Sequence, residues 1–334
     1  MDMKVKHFKH LIGARTIKTG LATFLTALFC LMLDLNPIFA ILSAVVTIEP
    51  TIKASIRKGY KRLPATVMGA FIAVVCTYLF GDESPWTYGL TATITIILCI
   101  QFNLHVGISV ATLTALAMIP DIDHNYAYNF FSRLLTAIIG LGTAGLVNFI
   151  VLPPKYYDQI ESLIDKTERH IYHLFDCRMK ELMIGQFKSK KSDDSVEQLH
   201  LWNSRIEELL GFQRDELKFH KSKRRSEEWL RLRKLTNRAH ENRLLITHLS
   251  NIIYLPDDAM MLFNDKEKQA IIVISQRIDQ IINCGTFKPE RKAASTLKNS
   301  VKGLNEFDTN QVKSHTIYEI LLIYRILSLR YRVK

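Results

Sequence analysis

The chain has 334 residues, of which 48% are hydrophobic, and a formal net charge of +12. Residues 1–153 hold 11 of the 44 Lys and Arg and 7 of the 32 Asp and Glu, so this part is apolar and sparsely charged, while residues 154–334 are basic and soluble-like. Because the cations of the first part lie beside apolar runs, the composition favours a membrane protein, with the lipid bilayer rather than nucleic acid as its partner. We therefore expect a transmembrane domain over 1–153 and a cytosolic α-helical domain over 154–334.

The first part contains six apolar segments that are candidate transmembrane helices. They span 11–33, 37–48, 63–80, 88–100, 106–119 and 130–152. About 20 apolar residues are needed to cross a bilayer, so the second, fourth and fifth segments have to extend into their flanks, tilt or be interrupted. The pattern predicts an all-α membrane protein with six transmembrane helices, whose two ends lie on the same side of the membrane.

The distribution of Lys and Arg predicts the orientation of these helices. A basic turn at 51–62 holds five cations, namely Lys53, Arg57, Lys58, Lys61 and Arg62. The connections 34–36, 81–87 and 120–129 hold none, and the last of them carries Asp121 and Asp123. The positive-inside rule therefore predicts a multi-pass protein of the cell membrane with the basic tail 1–9, the basic turn and the C-terminus in the cytoplasm.

The first part also contains a candidate internal repeat. At nearly fixed offsets, Gly20, Thr26, Cys30, Asp34, Leu35, Pro50, Arg62 and Gly69 align with Gly89, Thr95, Cys99, Asn103, Leu104, Pro120, Arg133 and Gly140. Three spans per copy give the two copies opposite orientations, and such inverted repeats are a feature of transporters. Apolar sequences also align through composition alone, so the sequence leaves both explanations open.

The second part has the apolar periodicity of helices throughout. The predicted helices are 156–187, 196–223, 226–255, 265–283, 290–304 and 310–331, with a polar loop at 188–194 and helix ends near Pro256 and Gly285. We expect an antiparallel helical bundle on the cytoplasmic face of the membrane.

Motifs for catalysis, cofactors or metals are missing from the sequence. There is no phosphate-binding glycine loop, no dinucleotide fingerprint and no signature of a serine or cysteine nucleophile, which argues against an enzyme and predicts no cofactor. His170 and His173 have a spacing that suits a shared metal, but without a third ligand a solvated helix face is the better interpretation. The five cysteines have no metal-ligand spacing and are expected to be reduced and mostly buried.

The informative residues are the cations at the ends of the apolar segments, namely Arg15, Lys18, Arg62 and Arg133. A charge at the centre of a membrane costs about 2.5–3.5 kcal/mol on insertion scales, and snorkelling to the interface is the simplest explanation for a cation near a span end. For Arg62 and Arg133, which the topology places at opposite mouths, we favour a route for organic anions. Glu49 either pairs with one of these cations, carries a proton or anchors the turn, and Thr66 is a further candidate beside Arg62.

Several segments resemble the bacterial aromatic acid exporter family. They are GARTIKTGLA at 13–22, AILSAVVTIEPTIKASIRKGYKRLPATVMGA at 40–70, PPKYY at 153–157 and NRLLITHLSNIIYLP at 242–256. The chain is most similar to an uncharacterised Gram-positive branch, within a superfamily that includes fusaric acid resistance proteins and plant aluminium-activated malate transporters. The resemblance implies a plasma-membrane protein that passes organic anions, with a homodimer as a possible assembly.

In the malate-transporter relatives, cations on the third and sixth spans line the pore, and the matching positions here are Arg62 and Arg133. The family often has a glycine three residues after the first of these cations, where this sequence has Ala65. This departure weakens any transfer of substrate from the family to this chain.

The sequence therefore predicts an exporter or channel for small aromatic or carboxylate anions, with a pathway lined by cations. The alternative is a membrane scaffold or sensor that does not transport and whose cytosolic helices bind a partner. A membrane enzyme is the least favoured class.

Overall fold

The computed structural model describes residues 14–122, 125–151, 156–184, 189–219, 225–255, 262–284, 287–302 and 310–331. All regular elements within these ranges are helical, which confirms the predicted all-α class; they comprise twelve α-helices, α1 to α12, and two short 3-10 turns. The chain divides into two compact units, one formed by 1–155 with 214–222 and the other by 156–213 with 223–334. The tail 1–9, the boundary predicted at 153–154, and the helix ends predicted at Pro256 and Gly285 lie outside the described residues.

The first unit contains six helices and both 3-10 turns. They are α1 (Ala14–Met32), α2 (Pro37–Thr47), α3 (Ile52–Phe80), α4 (Pro85–Gln101), the turn His105–Gly107, α5 (Ile108–Met118), the turn Ile119–Asp121 and α6 (Tyr126–Ile150). Among the described residues, α1, α3 and α6 are long and apolar enough to cross a membrane. With 11 residues each, α2 and α5 are about 16 Å long, roughly half of a bilayer core. Six membrane crossings therefore remain a prediction.

The basic turn predicted at 51–62 is wrong, because these residues form the first three turns of α3, a continuous helix of 29 residues. The Thr51 side chain caps this helix by accepting a hydrogen bond from the backbone N–H of Ala54 (3.2 Å). Pro64 lies inside the helix without ending it. The cluster of cations indicates a side of the membrane, but it does not specify a loop, since Lys and Arg are good helix formers.

Small residues set the packing of the two short helices. Helix α2 packs on α1 and α6, helix α5 packs on α3 and α4, and α3 contacts α6. A Cβ atom on Gly140 of α6 would collide with the carbonyl of Ala40 on α2, and one on Gly69 of α3 would lie 2.9 Å from the carbonyl oxygen of Ala111 on α5. Both crossings therefore require glycine, because backbone lies directly against backbone.

Helices α1 and α4 end in the same way. Asp34 and Asn103 follow them with φ of 52° and 56°, and they are the two non-glycine residues of positive φ in the described part of the chain. Leu35 donates its N–H to the carbonyl of Cys30 (2.9 Å), and Leu104 donates to the carbonyl of Cys99 (2.8 Å). Aspartate and asparagine tolerate this left-handed conformation better than other side chains, and the bonds are those of a standard C-terminal helix cap.

The second unit is a helical bundle. Its helices are α7 (Tyr157–Ile184), α8 (Ser189–Phe219), α9 (Arg225–Ile253), α10 (Asp265–Cys284), α11 (Arg291–Lys302) and α12 (Asn310–Arg330). The last residues of α8, from 214 onward, are assigned to the first unit. The polar loop predicted at 188–194 is wrong from Ser189 onward, where α8 has already begun. Polar composition indicates solvent exposure, and without glycine or proline nothing in this stretch stops a helix.

Pairs between helices give their relative directions. Tyr156 N–H donates to Gln213 and His170 packs on Trp202, so α7 and α8 run antiparallel, as predicted for neighbours. Glu161 pairs with Arg231, and Arg178 donates to the carbonyls of Ile252 and Ile253 at 2.9–3.1 Å; hence α7 and α9 are parallel. The same bonds satisfy carbonyls at the end of α9, which the helix itself leaves free.

A buried charge cluster joins three helices of this bundle. Glu168 of α7 binds Arg238 of α9 at 2.8 Å and also pairs with Arg330 of α12. Burial works against the charged form of Arg330, but the neighbouring Glu168 carboxylate raises the pKa of Arg330 overall. The arginine therefore stays charged and the cluster holds the helices in register.

We expect Gly140→Ala to destabilise the first unit, because the added methyl has to displace backbone at the contact between α2 and α6. Overpacking of this kind costs about 1–3 kcal/mol. Gly142→Ala is the matched control, since a Cβ there meets nothing within 4 Å. Thermal unfolding of the purified protein in detergent measures both, and equal midpoints for the two variants would contradict the packing described here.

Candidate functional site

Arg62 and Glu49 form a pair at the end of α2. Glu49 lies in the connection between α2 and α3, and its carboxylate is 3.4 Å from a terminal nitrogen of Arg62 and 2.9 Å from Lys58 Nζ. The other terminal nitrogen of Arg62 donates to the carbonyl of Val46 (2.6 Å), in the last turn of α2. The side chains of Arg62 and Glu49 are only 9% and 11% exposed, so the guanidinium is held away from solvent by a helix end and a carboxylate.

Asn148 of α6 ties this region to two other helices. Its side-chain oxygen accepts from Lys18 of α1 (2.8 Å), and its amide nitrogen donates to Ser55 of α3 (2.8 Å) and to the backbone carbonyl of Glu49 (3.2 Å). Ser55 in turn donates to the carbonyl of Thr47 (2.8 Å). The backbone of Glu49 is therefore held in place, while the Glu49 side chain pairs with Arg62 and Lys58.

Arg133 lies at the opposite end of α2, near its first turn. The residue is 3% exposed, and its guanidinium stacks on the Phe39 ring, 4.0 Å from the centroid. None of its three side-chain nitrogens has a hydrogen-bond partner in the described part of the chain. Within the described residues it makes no ion pair, so the charge is buried and uncompensated by protein, an arrangement that is costly.

A cavity of ≈ 270 Å³ adjoins Arg133. Its walls include Asp34, Asn36, Phe39, Tyr128, Ser132 and Thr136. Asp34 is exposed at the rim and lies beyond ion-pair distance of Arg133. Side chains of the acidic residues 121 and 123 lie outside the described part of the chain. The cavity thus combines an unpaired cation, aromatic rings and hydroxyl groups.

The N-terminus of α2 opens onto the same cavity. Asn36 is its N-cap and accepts from the N–H of Ile38 (3.1 Å), and Pro37 occupies the first helical position. A helix N-terminus carries about half a positive charge and favours anions. Together with Arg133 it places two positive groups in a cavity whose rim carries the Asp34 carboxylate, and the two positive groups are chemically able to hold a small anion.

The other predicted site residues have separate locations. Thr66 is buried one turn beyond Arg62 on α3, whereas Arg15 is exposed on α1. Lys18 is buried and joins Arg62 and Glu49 through Asn148 and Ser55. The structure thus brings Lys18, Glu49, Arg62 and Thr66 to one end of the unit, while Arg133 lies at the other and Arg15 belongs to neither group.

Two residues that organise these ends escaped the sequence analysis. Asn148 is the polar residue in the apolar run LVNFIV, and this isolation is the signal that points to a buried hydrogen-bonding role. Phe39 gave no signal, because an aromatic residue in an apolar helix is ordinarily part of a core.

The two histidines considered as metal ligands lie in the second unit. His170 packs edge-on against Trp202, with ring centroids 5.4 Å apart. Burial lowers the pKa of His170, and His173 and Lys166 lower it further. In the part of the chain that the structure describes, no group of three or more His, Cys, Asp or Glu side chains is placed to hold a metal.

Apolar helices with buried charges at both ends define a membrane protein, and comparison with known proteins places it more narrowly. Residues 10–151 match the family described as "Aromatic acid exporter family member 1". A UPF0421 protein of Staphylococcus saprophyticus is 61% identical over 97% of this chain and 98% of its own length. UPF0421 proteins of Staphylococcus haemolyticus and Staphylococcus aureus are 59% and 54% identical, each over 98% of this chain and at least 99% of their own lengths. The chain therefore belongs to the UPF0421 proteins, and its residues 10–151 match the aromatic acid exporter family.

We expect Asn148→Leu to destabilise the first unit, because it leaves the Lys18 ammonium buried without its acceptor. Hydrogen bonds to charged groups contribute about 1.5–3 kcal/mol, and thermal unfolding in detergent measures the loss. In the double variant Lys18→Met with Asn148→Leu the charge is gone, so the part of the loss that comes from the unpaired ammonium should be recovered, while the part from the bonds to Ser55 and Glu49 remains. Additive effects of the two substitutions would show that the contact is not a coupled pair.

Proposed function

We propose that this protein is a multi-pass plasma-membrane transporter that exports small organic anions, and that Arg133 is a residue that binds them. Membership of an exporter family supports the transport class. The residues of the first unit support a negatively charged substrate, because its two buried guanidinium groups are positive. Both lie at the ends of α2 and not beside its apolar middle.

The observation that carries the proposal is the unpaired guanidinium of Arg133. A buried charge in an apolar bundle needs a partner, and the protein supplies none among the described residues. The Phe39 ring lies 4.0 Å from the guanidinium carbon, and the N–H groups in the guanidinium plane have no partner among the described residues. Arginine binds carboxylates in this plane, often through two parallel hydrogen bonds.

The cavity favours small and partly aromatic anions. Its volume of ≈ 270 Å³ lies just below the usual range of about 300–1,000 Å³ for drug-sized ligands. Phe39 and Tyr128 offer ring surfaces to an aromatic substrate, while Ser132 and Thr136 offer hydroxyl groups for a second polar substituent. A small aromatic carboxylate or a short dicarboxylate satisfies all of these groups.

The transporter proposal includes six membrane crossings with cytoplasmic termini and an inverted repeat of three helices. The repeat is supported by equivalent contacts in the two halves. Gly140 of α6 lies against Ala40 of α2, as Gly69 of α3 lies against Ala111 of α5. Asp34 and Asn103, both with positive φ, follow the corresponding helices α1 and α4. Unusually short helices at matching places of two repeats are typical of substrate sites. Here these helices are α2 and α5, and α2 borders both arginines.

Flux of phthalate tests the proposal, since this aromatic dicarboxylate stays ionised at neutral pH and crosses lipid slowly. Proteoliposomes with the purified protein should release it faster than empty liposomes. Arg133→Gln should lower the rate by about ten- to a hundredfold, as expected for loss of a hydrogen-bonded charge. Arg133→Lys should retain part of the activity, because it keeps the charge but not the planar geometry.

Arg57→Gln is the matched control, as it removes an exposed cation of α3 and should leave the rate unchanged. Equal flux in Arg133→Gln and the parent protein would overturn the role of Arg133. Absence of flux for phthalate and malate in the parent protein would overturn transport and favour a scaffold or sensor.

A further inference from the structure

We infer that Glu49 is a built-in anion that occupies the Arg62 site and closes this end of the pathway until a substrate anion displaces it. The inference rests on the proposed function and adds a gate to it. Arg62 and Arg133 hold corresponding positions in the alignment of the two halves, yet one guanidinium is paired with a carboxylate and the other has none. The protein thus contains two buried arginines of the same kind, one paired with a carboxylate and one without a partner among the described residues.

The geometry of the filled site suits displacement. Glu49 contacts Arg62 at 3.4 Å through one oxygen and Lys58 at 2.9 Å through the other. Charge-assisted hydrogen bonds of full strength measure about 2.7–2.9 Å, so the contact to Arg62 is the weaker of the two. A carboxylate that arrives with better geometry competes on favourable terms for the guanidinium.

Lys58 provides the place to which Glu49 withdraws. Its side chain is 38% exposed, against 9% for Arg62, so the Glu49–Lys58 pair can remain together nearer to solvent. Charge is balanced throughout the exchange, because the substrate carboxylate replaces the Glu49 carboxylate at Arg62. Neither cation is left buried without a partner.

The connection that carries Glu49 stays in place during this exchange. The backbone N–H of Glu49 donates to Ser55 (3.3 Å), and its carbonyl accepts from Asn148 (3.2 Å). Arg62 is likewise held by the carbonyl of Val46 (2.6 Å). The moving part is therefore the Glu49 side chain, which needs only rotamer changes and no displacement of the connection.

Binding of phthalate in detergent, measured by isothermal titration in an Arg133→Gln background, isolates this site from the other one. The Arg133→Gln variant alone should bind phthalate weakly, because Glu49 still pairs with Arg62. Adding Glu49→Gln should tighten binding at least tenfold, and adding Arg62→Gln to that double variant should abolish the gain. The neutral diamide of phthalate should bind none of the variants.

The gate is overturned if Glu49→Gln in this background binds phthalate no more tightly than Arg133→Gln alone, or if the gain persists without Arg62. Should the glutamine variant fail to fold, Glu49→Asp takes its place, since its carboxylate is one methylene short of Arg62 and should also tighten binding. These binding measurements depend neither on transport activity nor on Arg133. A failed gate is therefore distinguishable from a failed transport function, which the Arg133→Gln flux measurement decides.

Discussion

The need to pair the buried ammonium of Lys18 determines the organisation of one end of the first unit. Asn148 meets this need by accepting from Lys18 and donating to Ser55 and to the Glu49 carbonyl. Three helices and one connection converge on this amide, which keeps the lysine, the serine and the Glu49 carbonyl hydrogen-bonded away from water. The position of the Glu49 carboxylate beside Arg62 follows from that anchoring.

The two ends of α2 treat a buried arginine in opposite ways. At its C-terminal end Arg62 receives a carbonyl and a carboxylate, and the negative end of the helix adds to their effect. At its N-terminal end Arg133 receives an aromatic face and the positive end of the same helix. The first setting stabilises the arginine with groups of the protein itself, while the second leaves its N–H groups without a partner among the described residues.

The sequence predicts the helical class, and it predicts the helices of the second half to within a few residues except at the start of α8. In the first half it singles out Lys18, Arg62 and Arg133, which the structure buries. It does not predict that 52–62 are helical, because cations mark a membrane side and leave backbone conformation open. Nor does it predict the isolation of Arg133, which depends on Phe39 and Asn36 approaching from a distant part of the chain. The role of Asn148 likewise depends on partners in α1, α3 and the Glu49 connection, and such convergence becomes visible only in three dimensions.

The glycine crossings have a mechanical consequence. At Gly69 and Gly140 backbone rests on backbone, and the nearest side-chain atoms are the Cβ atoms of Ala115 and Ser43, so small groups rather than long side chains resist a change of angle between the paired helices. Each crossing is a fulcrum, and rocking about it requires fewer rotamer changes than sliding along the rest of the interface. A tilt of α2 about Gly140, near the first turns of α2, would move the far end of this helix most, where the carbonyl of Val46 accepts from Arg62 of α3.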